Sequence, residues 1–501
     1  MAAPPWAGTA SHQQFYVLLT GANSGVGLGI GQRIIDEFLT SRSLSSHLVL
    51  IPTTRSAAKS RQTILALRAH VEKTANTSNQ LRARAGPDYN PKTVISRVHV
   101  LSVQLDLCDL NAIYSVAEQL VHGKISDPTG VIDDVAIPRL DAVLFNAGIG
   151  GWSGLDWLEF ARQFLHVGLV QSTTFPSFKK ALPAVILDQR KLLGDAAATS
   201  LNTPPPELAE VFCANVFGHY ILAHELLPLL SRSHPDEPRG RVVWTSSIDA
   251  GHDHLDFDDF QARRTKPPYE SSKRITDLLV LTAELPSVEK VAASYFASSP
   301  PATTTGEDKP FKPRFYLSHP GIVCTPLFPL NWFLFFAYWC VMYVSRWCGS
   351  AWHPIEPYLG ACATTWLALA DEAELELDAA GSNSSGSSAQ RVKWGTCATR
   401  GGRVAPKETE VEGWGWDGRV EGRDRPEAET GAGILGKGRG RKWDAVALTR
   451  ERREEFEADG LRCWAELERL RIAWEVALGK RAKGKGAAAA ENGHRANGNG
   501  L

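Results

Sequence analysis

A doubly wound α/β fold with a mainly parallel sheet is what the sequence predicts, and three observations carry the prediction. Short apolar runs alternate with helical patterns over the first two thirds of the chain. The first run feeds a glycine-rich turn that opens directly into a helix. The 501 residues are 43% hydrophobic and 22% charged, enough to bury a large core and unlike a disordered or disulfide-scaffold chain.

The first element is the run Phe15 to Thr20, ending at Gly21. Gly25, Gly27, Gly29 and Gly31 then punctuate a stretch that becomes helical through Ile34, Ile35, Phe38 and Leu39. Further strands are predicted at Leu48–Ile51, Val98–Leu105 and Asp141–Phe145, with a helix over Asn111–Val121 between the last two. Arg241–Thr245 and Phe315–Ser318 continue the series. Buried strands separated by helices pair in parallel, with helices on both faces of a Rossmann-like sheet.

Around this unit, residues 14–370 in our reading, the composition changes. Residues 1–13 hold Pro4, Pro5 and Gly8 without a basic segment followed by an apolar one, so we expect a flexible arm and no cleaved signal peptide. Residues 150–210 form an insertion. Residues 371–390, with the run Gly381 to Ala389, read as a linker, and 391–478 as a C-terminal extension with a flexible stretch at 417–442. In the extension Phe456, Cys463, Leu467, Leu470, Trp474 and Leu478 line one helix face, which suits docking on the chain itself or on a partner. Residues 479–501 are of low complexity and expected to be disordered.

Charge and cysteine content narrow the function. With 54 Lys and Arg against 55 Asp and Glu the net charge is −1, which lacks the basic footprint of a nucleic-acid binder. The eight cysteines show neither paired CxxC spacing nor a neighbouring His pattern, so no metal site or disulfide framework is expected, and a reducing compartment fits.

The chemistry begins at Thr20-Gly21-Ala22-Asn23-Ser24-Gly25-Val26-Gly27. Glycines there let backbone approach a pyrophosphate and aim the next helix's free N–H groups at it. After the second strand the chain reads Thr53-Thr54-Arg55-Ser56, with no carboxylate to hold a ribose 2′-hydroxyl and with one guanidinium suited to a 2′-phosphate. NADPH is therefore the expected cofactor, with hydroxyls of Thr53, Thr54 and Ser56 as added donors. Asn146-Ala147-Gly148 ends the fourth strand, Asn215 sits in a helical stretch, and Ser246-Ser247 follows a strand. Tyr269 and Lys273, four apart, share a helix face, so the ammonium can favour ionisation of a phenol whose ordinary pKa is about 10.

In that order these motifs resemble the short-chain dehydrogenase/reductase superfamily, with Pro320-Gly321 and Thr325 following, over roughly residues 14 to 370. The resemblance implies that Tyr269 is the proton donor, that Ser247 bonds the substrate oxygen and that Lys273 holds the nicotinamide ribose. It also implies that Asn215 supports a water relay. Ser246 is the rival of Ser247. By the same resemblance Thr20, Gly21, Ser24, Gly25, Val26, Gly27, Arg55, Asp106, Asn146, Ala147, Gly148, Tyr269, Lys273, Pro320, Gly321 and Thr325 contact the cofactor, although Asp106 equally suits a helix cap. Ser247 and Tyr269 are 22 residues apart, wider than in many members, and the extra residues, Asp256, Asp258 and Asp259 among them, are expected near the substrate mouth.

Within the superfamily, the wording of residues 20–31, the insertion, Lys266-Pro267-Pro268-Tyr269 and the Trp-rich stretch after Pro320 resemble the fungal 3-ketosteroid reductases, as do Lys393-Trp394-Gly395 and Glu412-Gly413-Trp414-Gly415. That resemblance implies NADPH-dependent reduction of a 4-methylated 3-keto sterol to the 3β-alcohol during sterol C-4 demethylation in ergosterol biosynthesis. It implies as partners the other enzymes of that demethylation and oxidosqualene cyclase. Two alternatives stand beside it: a scaffold for membrane-bound sterol-synthesis enzymes, and a reductase of another lipid ketone such as a retinoid.

A lipid setting also has physical support. Pro320 to Ser345 carries no charge, and Trp332 to Val344 is a continuous aromatic and aliphatic run. Thirteen helical residues rise about 20 Å, short of a roughly 30 Å hydrocarbon core, and Pro329 and Asn331 interrupt any longer span. We therefore expect residues 327–345 to be a monotopic anchor beside the active-site mouth, with a soluble lid helix as the alternative. The expected location is the cytosolic face of the endoplasmic reticulum membrane, or lipid droplets.

Overall fold

The computed structural model describes residues 3–193, 204–264, 266–297, 310–325, 331–380, 389–420 and 440–480. The expectations for 381–388, for most of 417–442 and for the tail beyond 480 fall outside these residues.

The chain begins with β1 (Gln14–Leu19), α1 (Gly25–Ser41), β2 (His47–Thr54) and α2 (Ala57–Thr77). The expected third strand is two pieces, β3 (Val98–Val100) and β4 (Val103–Gln104), followed by α3 (Leu110–Val121) and β5 (Ala142–Phe145). The insertion contributes β6 (Trp152–Leu155), α4 (Trp157–Thr174) and β7 (Lys179–Ala181). A π-helical turn, Cys213–Phe217, leads into α5 (Gly218–Glu225), and β8 (Arg241–Thr245) precedes α6 (Pro268–Leu281) and α7 (Pro286–Phe296). Then come β9 (Arg314–His319), α8 (Trp332–Trp347), α9 (Cys362–Leu369), α10 (Glu372–Ala380), β10 (Lys393–Ala398), β11 (Val404–Thr409) and α11 (Arg450–Ala477).

The main sheet runs β11-β10-β9-β8-β5-β1-β2-β3, with β4 also on β2, and every pairing is parallel except β10 with β11. β1 pairs with β2 through Val17–Leu50 and with β5 through Val17–Ala142. The chain therefore winds one way from β1 to β2 and the other way from β1 to β5. Between the carboxyl ends of β1 and β5 lies the switch point at which such sheets bind ligands. The central strands are buried on both faces, which explains their near-continuous apolar sequence.

Each face has its own core. One holds α1, α2 and α9 residues such as Ile34, Phe38, Leu67 and Leu367. The other unites α3, α5, α6 and α7 with the C-terminal helix α11.

Several segments differ from expectation. The arm is docked where it is described: Trp6 is buried and its indole N–H donates to Tyr16 Oη at 3.0 Å. Residues 371–390 begin with α10 rather than a linker. Two strands of the extension extend the main sheet, β10 pairing Trp394 with Ser318 of β9. Their polar and glycine content, Lys393, Gly395 and Thr396, hid them from a search for apolar runs. The helix of the extension docks on its own chain, with Phe456, Cys463, Leu467, Leu470 and Trp474 buried against α6 and α7.

Trp464 of α11 is fully buried among Tyr220, Tyr295 and Phe296, and its N–H donates to Leu279 O at 3.1 Å. Trp464→Ala should cost about 3–5 kcal/mol in urea unfolding, whereas Trp347→Ala, on the exposed face of α8, should stay within about 0.5 kcal/mol. Equal losses would show that α11 does not belong to the cooperative core.

Candidate active site

One cavity of about 730 Å³ opens at the switch point, within the roughly 300–1,000 Å³ usual for small-molecule sites. Its polar half is built from strand ends and the glycine turn, and its apolar half from the insertion and α8.

The glycine turn is dictated by sterics. Gly21 has φ +68°, and a Cβ there would lie 2.8 Å from Ala147 Cα. Gly25 has φ +53°, and a Cβ on Gly27 would lie 2.1 Å from Gly21 O, so any side chain would destroy the turn. α1 starts at Gly25, and the Ser24 side chain does not cap it, which leaves first-turn N–H groups aimed into the cavity. Asn146 Nδ2 donates to Thr20 O at 3.3 Å, clasping the turn to the end of β5.

Thr20 lies beneath this surface, not on it. It is fully buried, and its hydroxyl accepts from Asn146 N at 3.0 Å and Ala147 N at 3.1 Å. His219 Nε2 sits 3.0 Å from the same hydroxyl, its pKa pushed by burial down to about 3, so this packing is neutral.

At the far end of the polar half, Arg55 lines the cavity together with Lys59, a cation the sequence reading overlooked. The hydroxyl donors expected beside Arg55 are partly committed elsewhere. Thr54 Oγ1 donates to Ser56 O at 3.0 Å, and Ser56 Oγ accepts from Lys59 N as the cap of α2. Thr53 remains on the cavity wall. Asp106 also lines it, and its carboxylate accepts from Cys108 N at 3.0 Å. Gly148, Pro320, Gly321 and Thr325 complete the wall, with Thr325 Cγ2 facing Gly25. An uncapped helix start, a turn with glycines at its points of close approach and two cations beyond β2 fit a nicotinamide dinucleotide with its phosphates on α1.

The reactive groups gather on α6 and after β8. Tyr269 and Lys273 both face the cavity, and Lys273 Nζ lies 5.4 Å from the Tyr269 ring centre and donates to Thr245 O at 2.7 Å. Burial lowers the Lys273 pKa to about 8, against the pull of Asp277. Ser247 hydrogen-bonds the Tyr269 phenol, whereas Ser246 donates to Asp277 Oδ1 at 2.5 Å, below the site. Asn215 stands in the π-helical turn, accepting from Ile149 N at 2.8 Å and donating to Ile149 O at 3.1 Å and Ser272 Oγ at 3.0 Å. It does not line the cavity itself.

Two expectations need correction. Burial raises the Tyr269 pKa to about 12, and the cation that opposes this most is Lys179 of β7, followed among lowering influences by the Ser247 hydrogen bond; Lys273 was expected in that role. Asp256, Asp258 and Asp259 are not at the mouth. They lie in short turns beside α11, where Asp256 caps Phe257–Asp259 and Asp259 accepts from Arg263 N and Arg264 N.

The apolar half is walled by Trp152, Leu155, Phe160, Phe178, Leu334, Tyr338, Val341 and Met342. α4 and α8 meet there, Thr173 Oγ1 donating to Ser345 Oγ at 3.0 Å. Outward, α8 exposes Trp332 (81%), Phe333, Phe336 and Trp339, and α4 exposes Trp157, Leu158 and Leu165. Phe335 packs beside Cys324 and Met342. Among the described residues no helix is long and apolar enough to cross a membrane.

A dinucleotide cradle at the switch point, with Tyr, Lys and Ser converging beside it, defines an oxidoreductase of the short-chain dehydrogenase/reductase class. No protein-family model matches the chain. Among known proteins, it is 47% identical to the 3-keto-steroid reductase ERG27 of Gibberella zeae, over 95% of this chain and 98% of that protein. It is 38% identical to the 3-keto-steroid reductase erg27 of Aspergillus fumigatus, over 92% and 94%. A match to the 3-keto-steroid reductase erg27 of Schizosaccharomyces pombe is 29% identical over 79% of this chain. The chain belongs to the 3-keto-steroid reductase family.

Proposed function

We propose that the chain reduces the C3 ketone of 4-methylated 3-keto sterols to the 3β-alcohol, with NADPH as reductant, in sterol C-4 demethylation. The observation that carries this reading is the position of Tyr269, Ser247 and Lys273 at the junction of a polar dinucleotide cradle and a large apolar pocket. A sterol has one polar end and a long hydrocarbon body, and this cavity has the complementary division.

The nicotinamide, when bound, supplies the hydride. Tyr269 gives its phenolic proton to the developing alkoxide, a general-acid contribution of about 10²–10⁴-fold. Ser247, bonded to the phenol, adds a donor aimed at the same oxygen. Lys273 holds the ribose, and Asn215 fixes the Gly148–Ile149 backbone from which a water relay starts. Arg55, with Lys59 nearby, holds the 2′-phosphate.

α8 lines the apolar half of the cavity through Leu334, Tyr338, Val341 and Met342 and exposes Trp332, Phe333, Phe336 and Trp339, which supports docking into a bilayer interface through which a dissolved sterol enters. The cytosolic face of the endoplasmic reticulum membrane, or a lipid droplet, is the proposed setting. The other sterol C-4 demethylation enzymes and oxidosqualene cyclase are the proposed neighbours.

With a 4-methyl-3-keto sterol in mixed micelles, the wild type should consume NADPH, and Tyr269→Phe should lose at least about 10²-fold in turnover while still binding NADPH. A wild type that is inert on the sterol but active on another lipid ketone would replace the substrate assignment.

Arg55→Asp should weaken NADPH binding by about 1.5–3 kcal/mol, the worth of hydrogen bonds to a charged group, with little effect on NADH. Titration calorimetry with both cofactors decides it, and an unchanged ratio of dissociation constants assigns the phosphate to another residue.

Replacing Trp332, Phe333, Phe336 and Trp339 together by Ser should release the protein from sedimenting liposomes without moving the thermal unfolding of the rest. Undiminished co-sedimentation would place the membrane contact elsewhere.

A further inference from the structure

Lys179 reaches the site from the insertion, and no motif of the sequence points to it. Its ammonium is largely enclosed: it donates to Asp249 Oδ2 at 2.6 Å, contacts Glu270 Oε1, and lies 5.1 Å from the Trp152 ring centre and 5.9 Å from that of Tyr269. The three charged groups come from β7, from the loop after β8 and from the first turn of α6, so the cluster closes only when the insertion seats on the core. Lys179 also lines the cavity, beside Tyr269 on the side of the apolar half.

A buried cation held by two carboxylates can be an inert structural knot. Its neighbours argue otherwise. The Trp152 and Tyr269 rings lie 4.5 Å apart between centroids, tilted 56° to one another, and Lys179 lies within about 6 Å of both, the range over which a cation feels an aromatic face. Lys273 Nζ, the other ammonium near Tyr269, is engaged with Thr245 O.

We propose that Lys179 is a positioning residue for the acid step, its ammonium stabilising the negative charge left on Tyr269 Oη, with Asp249 and Glu270 fixing where that ammonium stands. This rests on the reductase reading. In the step, hydride from the reduced nicotinamide makes the C3–H bond and the carbonyl oxygen becomes an alkoxide. The Tyr269 O–H bond breaks and the proton forms the new alcohol O–H. The phenolate that remains faces Lys179, Lys273 and the Ser247 hydroxyl, against Glu270 and Asp249, until it is reprotonated through the relay. Burial opposes this ionisation most, and Lys179 is the first cation to counter it.

The two signs of charge give opposite predictions. With a ring-fluorinated tyrosine at position 269, fluorine NMR follows the phenol without any sterol present. Lys179→Met should raise its pKa by about 1–3 units and Glu270→Gln should lower it. In sterol reduction Lys179→Met should lose at least tenfold in kcat with KM little changed and a displaced pH profile, and Lys179→Arg should recover most of the loss. A folded Lys179→Met variant with an unmoved phenol overturns the proposal, as do shifts of the same sign in both variants. If Lys179→Met does not fold, an unmoved phenol in Glu270→Gln overturns it equally. A wild type inert on sterols while the phenol shifts as described would remove the substrate reading and leave the placement of Lys179 standing.

Discussion

The architecture turns on one buried carboxylate. Asp277 is fully buried on α6, one turn beyond Lys273, and accepts Lys393 Nζ at 2.6 Å and Ser246 Oγ at 2.5 Å. Those three residues come from the helix that carries Tyr269, the end of β8 and a strand of the C-terminal extension. A charge removed from water this completely is tolerable only when both partners and the remaining hydrogen bonds are present, and removal of one partner typically costs about 3–5 kcal/mol. The pairing therefore fixes the axial position of α6 against the sheet, and with it where Tyr269 and Lys273 meet the cavity. It also makes β10 part of the catalytic framework: Lys393 is a second buried ammonium near Lys273 and helps to lower its pKa.

Around that framework the cavity divides by chemistry. The half at the switch point is set by backbone geometry, positive φ at Gly21 and Gly25 and close approach at Gly27, and by the hydroxyl of Thr20 that joins β1 to β5. The other half is made by α4 and α8, which lie outside the sheet and touch each other through Thr173 and Ser345. The first half needs glycines and polar backbone, and the second needs mainly apolar bulk of a suitable shape.

This division explains how much was legible in the sequence. The central strands and the turn were readable because burial on both faces and positive φ leave residue types little freedom. Tyr269, Lys273, Asn215 and Ser247 were readable because their order matched a known constellation. What escaped was tertiary. Lys179 belongs to a triad from three segments with no common spacing, and Lys59 reaches the cavity only because α2 starts where it does. Thr54 and Ser56 looked available as donors, yet Thr54 donates to Ser56 O and Ser56 caps α2. Trp6 lies in a Pro- and Gly-containing stretch that looks flexible, and its contacts with Tyr16, Gln14 and His99 order it. The aspartates after Ser247 looked like substrate contacts, yet they lie in short turns beside α11, where Asp256 and Asp259 accept from backbone N–H groups.

An apolar pocket and an acid catalyst make opposing demands. The hydrocarbon of a sterol is held by excluding water, and the same exclusion raises the Tyr269 pKa to about 12, which makes the phenol a poorer proton donor. Low polarity, however, also increases the worth of every fixed charge that remains. The antiparallel β6–β7 pair answers both demands: Trp152 on β6 closes the apolar wall, and Lys179 on β7 brings an ammonium beside the Tyr269 ring. Enlarging the pocket by moving this strand pair would withdraw the cation along with the wall. In the proposed mechanism the insertion thus couples the space given to the substrate to the acidity of the group that acts on it.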